Sequence, residues 1–347
     1  SYTNPDFPFI NTHWLFEVLT YWISQTTGLQ AMLGLKIVIF LLSVWLILKI
    51  IPKENSALLL PVGFIFLHVL RERLELRPEI FSFFFTAVTY YILERHLRRP
   101  TKLIYLLPLV QLLWINTHIY FFVGLALQAI FLVHSGYQNL RFHPKGGSMK
   151  LLGLIFLLSV AVSLINPNGL TGFLYPLNVT KNYGYTIVEN QTMFLLESIN
   201  FRNPNFLFVK ISLGFTILSI LIAFLRKKFE LKNFLLAGFG MILALMNVRS
   251  FPYLVFLSLP ATLQNFGPIK GRFTKTLIFI FSGLLILESY FYLNGDYYKY
   301  TDSDTKPKLE FAESGTQALD FVLVNNLPQP IYNNFDIGSY IFYRGYP

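Results

Sequence analysis

The chain has 347 residues, of which 54% are hydrophobic and 13% charged, with 36 Phe, 20 Tyr, no Cys and a formal net charge of +10. Soluble domains average about 45–50% apolar and about 25% charged residues, so this composition argues against a surface that is solvated all round. The lack of Cys excludes disulfides, thiol catalysis and thiolate metal sites. No basic, aromatic-interleaved face or recognition motif accompanies the positive charge, so we expect no nucleic-acid partner.

The first 29 residues contain no Lys or Arg. Their apolar side chains recur at helical spacing and form one stripe, Leu15, Val18, Leu19, Trp22 and Ile23. This stripe predicts an amphipathic helix over residues 12–23 that lies in a membrane interface. His13 and Glu17 are four residues apart, which predicts that they stand together on the aqueous face. The same spacing suits a divalent metal ion, and simple solvation of a polar face is the plainer interpretation.

The apolar residues collect into runs of roughly 15 to 22, the length of helices that cross a bilayer core. The runs predict ten membrane spans, at about 30–50, 56–70, 78–94, 102–116, 118–135, 150–166, 207–225, 232–248, 250–265 and 274–293. The fold class that follows is an all-α polytopic membrane protein, with a transmembrane domain over residues 30–293. We expect the first 29 residues to form a separate loop outside that domain.

Lys and Arg are concentrated in alternate loops between the predicted spans, at 49–53, 95–102, 141–150, 226–232 and 270–275. The positive-inside rule makes these loops cytoplasmic. The opposite, extracytoplasmic ends are then residues 1–29, 71–77, 116–118, 167–206 and 247–249 and the chain after Asn294. Because the first loop lies outside without a preceding hydrophobic segment, we expect a first helix or a signal peptide ahead of Ser1.

After Asn294 the composition becomes mixed and polar. Residues 314–324 read as a short amphipathic helix, and residues 331–343 as two short strand-like pieces. The segment 294–347 is therefore predicted to be a small extracytoplasmic α/β piece, too short to hold much core alone. Its strand-like pattern runs up to Pro347, so we expect the chain to continue there.

Ionisable residues of both signs gather at the predicted extracytoplasmic ends, whereas the cytoplasmic loops are mainly basic. Ionisable groups are costly near hydrocarbon, so this asymmetry indicates a functional site at the outer face. Three guanidiniums, Arg71, Arg73 and Arg77, suit a phosphate or diphosphate group, because each donates a planar pair of hydrogen bonds. The interleaved acids Glu72, Glu75 and Glu79 favour a competing interpretation, internal ion pairing.

Five short motifs carry a resemblance to a known family: NTHWLFEVL in the first loop, RPEIFSF at the start of a span, the span ends WINTHIYF and INPNG, and NNFDIGSYIFYR near the C-terminus. With these motifs the chain resembles membrane glycosyltransferases of the GT-C superfamily, especially bacterial and archaeal proteins related to protein-mannosyl and aminoarabinose transferases. The resemblance implies an integral protein of a bacterial or archaeal plasma membrane. It also implies a cell-envelope role with the active face outside.

The family resemblance further implies a polyprenyl-phosphate-linked sugar as donor, an acidic first-loop residue as base, and basic residues that hold the lipid phosphate. Carried onto this sequence, the base is Glu17 or Asp6, the only acids before Glu54. The substrate-binding candidates are His13, Arg71, Arg73, Arg77, Asn116, His118 and Arg249. The acceptor stays open as a lipid, a glycan or a protein, and a divalent metal is an optional cofactor.

On this interpretation the chain is an inverting glycosyltransferase in which a carboxylate deprotonates the acceptor and cations stabilise the departing phosphate. The main alternative is a transporter or flippase of lipid-linked or polymeric sugar, which predicts polar groups near the middle of the spans. A second alternative is an inactive scaffold of GT-C type that binds a partner.

Overall fold

The structure is a computed structural model that describes residues 10–28, 30–142, 148–178, 187–269, 271–296 and 316–327, together with positions 338 and 341. Within these residues every regular element is a helix and none is a strand. The chain divides into two compact units, residues 1–294 and residues 295–347.

The first unit contains fourteen α-helices among its described residues: α1 Trp14–Thr27, α2 Ala31–Ile50, α3 Leu59–Leu70, α4 Glu79–Arg98, α5 Leu107–Thr117, α6 Phe122–Phe142, α7 Ser148–Val162, α8 Gly169–Asn178, α9 Met193–Ser198, α10 Asn205–Leu225, α11 Leu231–Met246, α12 Phe251–Tyr253, α13 Leu259–Phe266 and α14 Arg272–Leu293. A π-helical turn, Leu254–Ser258, joins α12 to α13. The second unit contributes α15, Thr316–Val324.

Each of the ten predicted spans coincides with one helix or with consecutive helices, which confirms the all-α prediction. Five segments are long and apolar enough to cross a membrane: Ala31–Ile50, Lys53–Arg73, Ile119–Arg141, Asn205–Leu225 and Arg272–Leu293. Shorter apolar helices occupy Lys102–Thr117, Met149–Val162 and Leu231–Met246. Prolines mark several starts, including Pro78 before α4 and Pro204 before α10, because proline has no N–H for the helix to leave unpaired.

Helix α4 lies at the centre of the first unit. It packs along α2 and also contacts α5 and α6, and its buried residues run from Glu79 near one end to His96 near the other. Helix α14 is the opposite case, because Thr274 is its only buried residue. Large apolar side chains such as Phe279 and Leu293 are about 80% exposed, and a surface this apolar suits contact with lipid rather than water.

The two ends of α4 define two different ends of the bundle. The mixed-charge end, where α4 begins, contains Arg73, Glu79, Glu189 and Arg249, which are joined by short contacts, and His118, which is hydrogen-bonded to Ser82 of α4. The basic end, where α4 finishes, contains Lys49, Glu94, Arg98 and Lys232. The sequence predicts this separation of charge. In the structure the mixed-charge and basic residues lie at opposite ends of α4.

The structure confirms only part of the C-terminal prediction. The helix expected at 314–324 is present as α15. Of the strand-like pieces expected at 331–343, only positions 338 and 341 are described, and both are helical. The predicted strand is therefore wrong at position 341, whereas position 338 belongs to the Asp336-Ile-Gly sequence between the two predicted pieces, and the rest of the α/β prediction falls outside the described residues.

Candidate functional site

Three arginines converge on one carboxylate, Glu189, at the mixed-charge end. Its Oε1 lies 2.7 Å from Arg73 Nη1 and 2.9 Å from Arg77 Nη1, and its Oε2 lies 3.0 Å from Arg249 Nη2. These residues come from the turn after α3, from the segment before α4, and from the turn before α12. Glu189 therefore links the segment between α3 and α4 to the turn before α12, although these segments are far apart in the sequence.

A second carboxylate, Glu79, completes the cluster from the first turn of α4. Arg73 donates to it from Nε and from Nη2, at 3.1 and 2.7 Å, which is a forked arrangement that favours a strong pair. Arg249 Nε lies 3.1 Å from the same carboxylate. We call Arg73, Arg77, Arg249, Glu79 and Glu189 the arginine cluster.

The ionised form of Glu189 is strongly favoured. Burial alone would raise its pKa, but hydrogen bonds and charge from Arg73, with Arg249 and Arg77 adding to them, outweigh burial and lower the pKa to about 2. Glu189 is thus negatively charged at any physiological pH, and it neutralises part of the positive charge of the three guanidiniums.

Two sets of local hydrogen bonds bring Glu189 and Arg249 together. The side chain of Asn247 accepts hydrogen bonds from Ser250 N and Ser250 Oγ, at 2.9 and 2.8 Å, which fixes the tight turn Val248–Ser250. The backbone N–H of Val248 donates to Gln191 O at 3.1 Å. The segment that carries Glu189 is therefore tied by its backbone to the turn that carries Arg249.

A column of stacked rings lies beside the arginine cluster. The His13 and His118 rings are 5.2 Å apart, His118 stacks on Tyr120 at 5.3 Å, and Tyr120 stacks on Tyr253 at 5.0 Å. His118 Nδ1 lies 2.7 Å from Ser82 Oγ, in the first turn of α4. This column connects the first loop to the helices that form the cluster.

Burial is the largest influence on both histidines and lowers the pKa of each. The charges of Glu17 and Glu79 oppose this shift at His13, and that of Arg249 adds to it. At His118 the charges of Arg249 and Arg73 lower the pKa further. Both rings are neutral at pH 7, so they act as hydrogen-bonding and packing groups there.

Helix α1 is held against this site by polar contacts. Trp14 Nε1 donates to Asn116 Oδ1 at 2.8 Å, and Asn116 Nδ2 donates to Leu112 O and Ile165 O. Asn11 Nδ2 donates to Glu17 Oε2 at 2.6 Å. Asn116, a predicted substrate contact, is buried and occupied with positioning Trp14, while Glu17 stays exposed.

The structure corrects one expectation about an individual side chain. His13 does not face the aqueous side with Glu17, because its ring packs on buried His118 just before α1 begins. The guanidinium of Arg71 lies over the ring of Tyr292, 5.6 Å from the ring centre, whereas those of Arg73 and Arg77 contact Glu189. The competing ion-pair interpretation holds for Arg73 and Arg77, which pair with Glu79 and Glu75.

Four predicted residues, His13, Arg73, His118 and Arg249, lie around one location, and Arg77 reaches it through Glu189. Asp6 falls outside the described residues. The sequence interpretation missed Glu189, whose only signal is that it is one of two acids in the 167–206 loop. Within the described residues, no three His, Asp or Glu side chains are placed to hold a metal ion.

Comparison of the chain with protein-family models, with curated proteins and with solved structures finds no match.

Proposed function

We propose that this chain is a membrane glycosyltransferase of GT-C type that moves a sugar from a polyprenyl-phosphate donor to an acceptor at the extracytoplasmic face. The proposal includes the predicted topology of ten spans, with the mixed-charge end outside. One observation carries it: His13 of the first loop packs on His118, 5.2 Å between ring centres, where the charges of Glu17 on one side and of Glu79 and Arg249 of the arginine cluster on the other all act on it. A first-loop carboxylate and a set of cations are the two components that this transfer needs.

The reaction is a single displacement at the anomeric carbon. Glu17 or Asp6 removes the proton of an acceptor hydroxyl, the acceptor oxygen forms its bond to the anomeric carbon, and the bond from that carbon to the phosphate oxygen breaks. The phosphate leaves with the electron pair, and the arginines stabilise its charge. Attack opposite the leaving group inverts the anomeric centre.

The contacts of the cluster divide its arginines into two roles. The Arg73 side chain is only 4% exposed and is paired with both Glu79 and Glu189, so we assign it to positioning. The Arg77 side chain is 41% exposed, and Glu189, its partner, is 26% exposed. A lipid phosphate reaches the cluster from the Arg77 side and replaces Glu189 as the anion that Arg77 and Arg249 bind.

Three polar side chains of the predicted spans favour an enzyme over a transporter, because each of them has a local partner. Gln111 Nε2 donates to Phe121 O and Ser163 Oγ. Glu288 pairs with His68 at 3.0 Å, and Lys210 pairs with Glu197 at 2.6 Å. A translocation pathway requires polar groups that face a water-filled cavity. The polar groups of Gln111, Glu288 and Lys210 instead bind neighbouring protein groups.

Transfer from two donors, polyprenyl-phosphate mannose and polyprenyl-phosphate aminoarabinose, tests the proposal in membranes that contain the full-length protein. A general base contributes about 10²–10⁴ to the rate. We therefore expect Glu17→Gln or Asp6→Asn to reduce transfer at least about 100-fold, with the protein still present in the membrane. We expect Arg77→Gln to weaken donor use by about tenfold.

The matched control is Arg202→Gln, an exposed arginine outside the arginine cluster, which should leave transfer unchanged. If both carboxylate variants retain wild-type transfer, the proposed mechanism is wrong. If neither donor is consumed but lipid-linked sugar crosses a vesicle bilayer when the protein is present, the transporter is the correct function.

A further inference from the structure

A polar cavity of ≈ 510 Å³ lies at the basic end of the bundle, and the arginine cluster lies at the opposite end. Its wall is formed by the last residues of α2, the last turns of α4 and the segment that follows α4. The charged residues that line it are Lys49, Glu94, Arg95, Arg98 and Arg99. None of these residues belongs to the site proposed above.

The cavity has an excess of positive charge that its own acid does not neutralise. Glu94 is buried and bound on its inner side by Lys232 Nζ, at 2.9 Å, and on its outer side by Arg98. One carboxylate therefore meets two cations. Lys49 lies over the Trp45 ring at 5.3 Å, and Arg95 donates to the Tyr91 hydroxyl at 2.9 Å.

Because neither an indole ring nor a phenol hydroxyl carries charge, these last two contacts leave the charge of Lys49 and Arg95 uncompensated. Arg98 also donates to the backbone carbonyl of Ile50, which fixes the end of α2 against α4. The wall that presents the cations is therefore held in place by the fold. A cavity of this size with several fixed cations suits a phosphate group.

The apolar surface next to the cavity indicates where such a phosphate would come from. One turn before Lys49, Trp45 is 52% exposed, and Leu48 is 40% exposed. Both belong to Ala31–Ile50, the most hydropathic of the candidate membrane spans. A ligand with a phosphate in the cavity and acyl chains along α2 would contact both the cations and the exposed apolar face of α2. A free anion would contact only the cations.

We infer that this cavity binds the headgroup of an anionic phospholipid, with the acyl chains packed along α2. Basic pockets between membrane helices bind such headgroups, and each Lys or Arg near the membrane surface adds to the attraction. Helix α4 carries Glu79 of the arginine cluster at its start and Glu94 of this cavity near its end. A bound lipid would therefore stabilise a helix that contributes to both sites.

Native mass spectrometry of the full-length protein in detergent, titrated with phosphatidylglycerol or with phosphatidylcholine, tests this inference. The variant is Lys49→Gln with Arg99→Gln, which removes two cations from the cavity. We expect wild type to prefer phosphatidylglycerol and the variant to bind it about 20-fold more weakly, with no change for phosphatidylcholine. Lys49→Arg with Arg99→Lys should retain most of the preference.

The matched control is Lys227→Gln with Lys228→Gln, which removes the same charge from an exposed loop outside the cavity. If this control loses affinity as strongly as the cavity variant, general charge attraction explains the binding and the inference is wrong. The inference is also wrong if wild type binds both lipids equally. Displacement of phosphatidylglycerol by millimolar inorganic phosphate would contradict it too, because that result identifies a site for a soluble anion. Melting curves of all variants confirm that each one is folded.

Discussion

Glu189 illustrates how one side chain is controlled by residues that are remote in the chain. It lies 112 residues from Arg77 and 60 residues from Arg249, yet these guanidiniums and Arg73 determine its ionisation. With Glu189 present, two carboxylates balance two of the three guanidiniums of the cluster. Without it, three guanidiniums would share Glu79 and the more exposed Glu75.

We predict a stability change with pH that depends on Glu189. Its pKa is lowered from 4.5 to about 2, which corresponds to about 3 kcal/mol at most. A depressed carboxyl pKa contributes stability that is fully present above pH about 4.5 and is lost as the pH falls towards 2. The melting temperature of Glu189→Gln should be lower than that of wild type at pH 7, and the difference should shrink between pH 5 and pH 3.

The control is Glu197→Gln, which removes a carboxylate paired with Lys210 where both side chains are more than a third exposed. Exposed pairs contribute about 0–1 kcal/mol, so this variant should melt close to wild type at both pH values. Equal melting temperatures of wild type and Glu189→Gln at pH 7 would contradict the role given to the cluster.

At the scale of elements, the π turn Leu254–Ser258 sets how α12 and α13 pack on α11. A π turn inserts an extra residue into a helix and often occurs near functional sites. Here it begins five residues after Arg249, and it packs closely on Gly240 of α11. A Cβ at position 240 would lie 2.4 Å from Ser258 Oγ and 3.2 Å from the backbone oxygen of Tyr253.

We therefore predict that Gly240→Ala lowers stability by about 1–3 kcal/mol, because the serine can rotate but the backbone oxygen cannot move away independently. Gly238→Ala is the matched control in the same helix, since nothing lies within 4 Å of a Cβ there. Alanine should be neutral or stabilising at 238, by up to about 1 kcal/mol. Thermal unfolding in detergent compares the two variants, and equal effects would mean that the close packing is absent.

At the scale of the whole molecule, the sequence is well suited to a direct test of topology because it has no Cys. Gln25, near the end of α1, and Lys227, between α10 and α11, are both exposed. The predicted topology places position 25 outside and position 227 in the cytoplasm. The two positions therefore report on opposite sides of the membrane.

We predict that Gln25→Cys reacts with a membrane-impermeant maleimide in intact cells, whereas Lys227→Cys reacts only after the cells are permeabilised. The Cys-free parent provides the background. If both variants are labelled in intact cells, or if the order is reversed, the orientation is wrong and the arginine cluster cannot be an extracytoplasmic site.

The sequence determined the helices and the separation of charge, because both depend on local pattern. Apolar runs of bilayer length, interrupted by basic loops, were sufficient to predict a helix at each of the ten segments, including 250–265, where the structure adds the π turn. The sequence also assigned His13, Arg73, His118 and Arg249 to one end of the molecule. It did so because each lies next to a helix end of the same predicted sidedness.

Only the tertiary structure decided which of these residues meet. Whether Arg73 faces a ligand or a carboxylate depends on Glu189, which reaches it from a loop more than one hundred residues later, and no periodicity encodes that contact. The same holds for His13, which the helical pattern assigned to water and which the packing of α1 places against His118. Contacts between distant segments depend on how whole helices pack, so spacing along the chain predicts the residues of this site but not their partners.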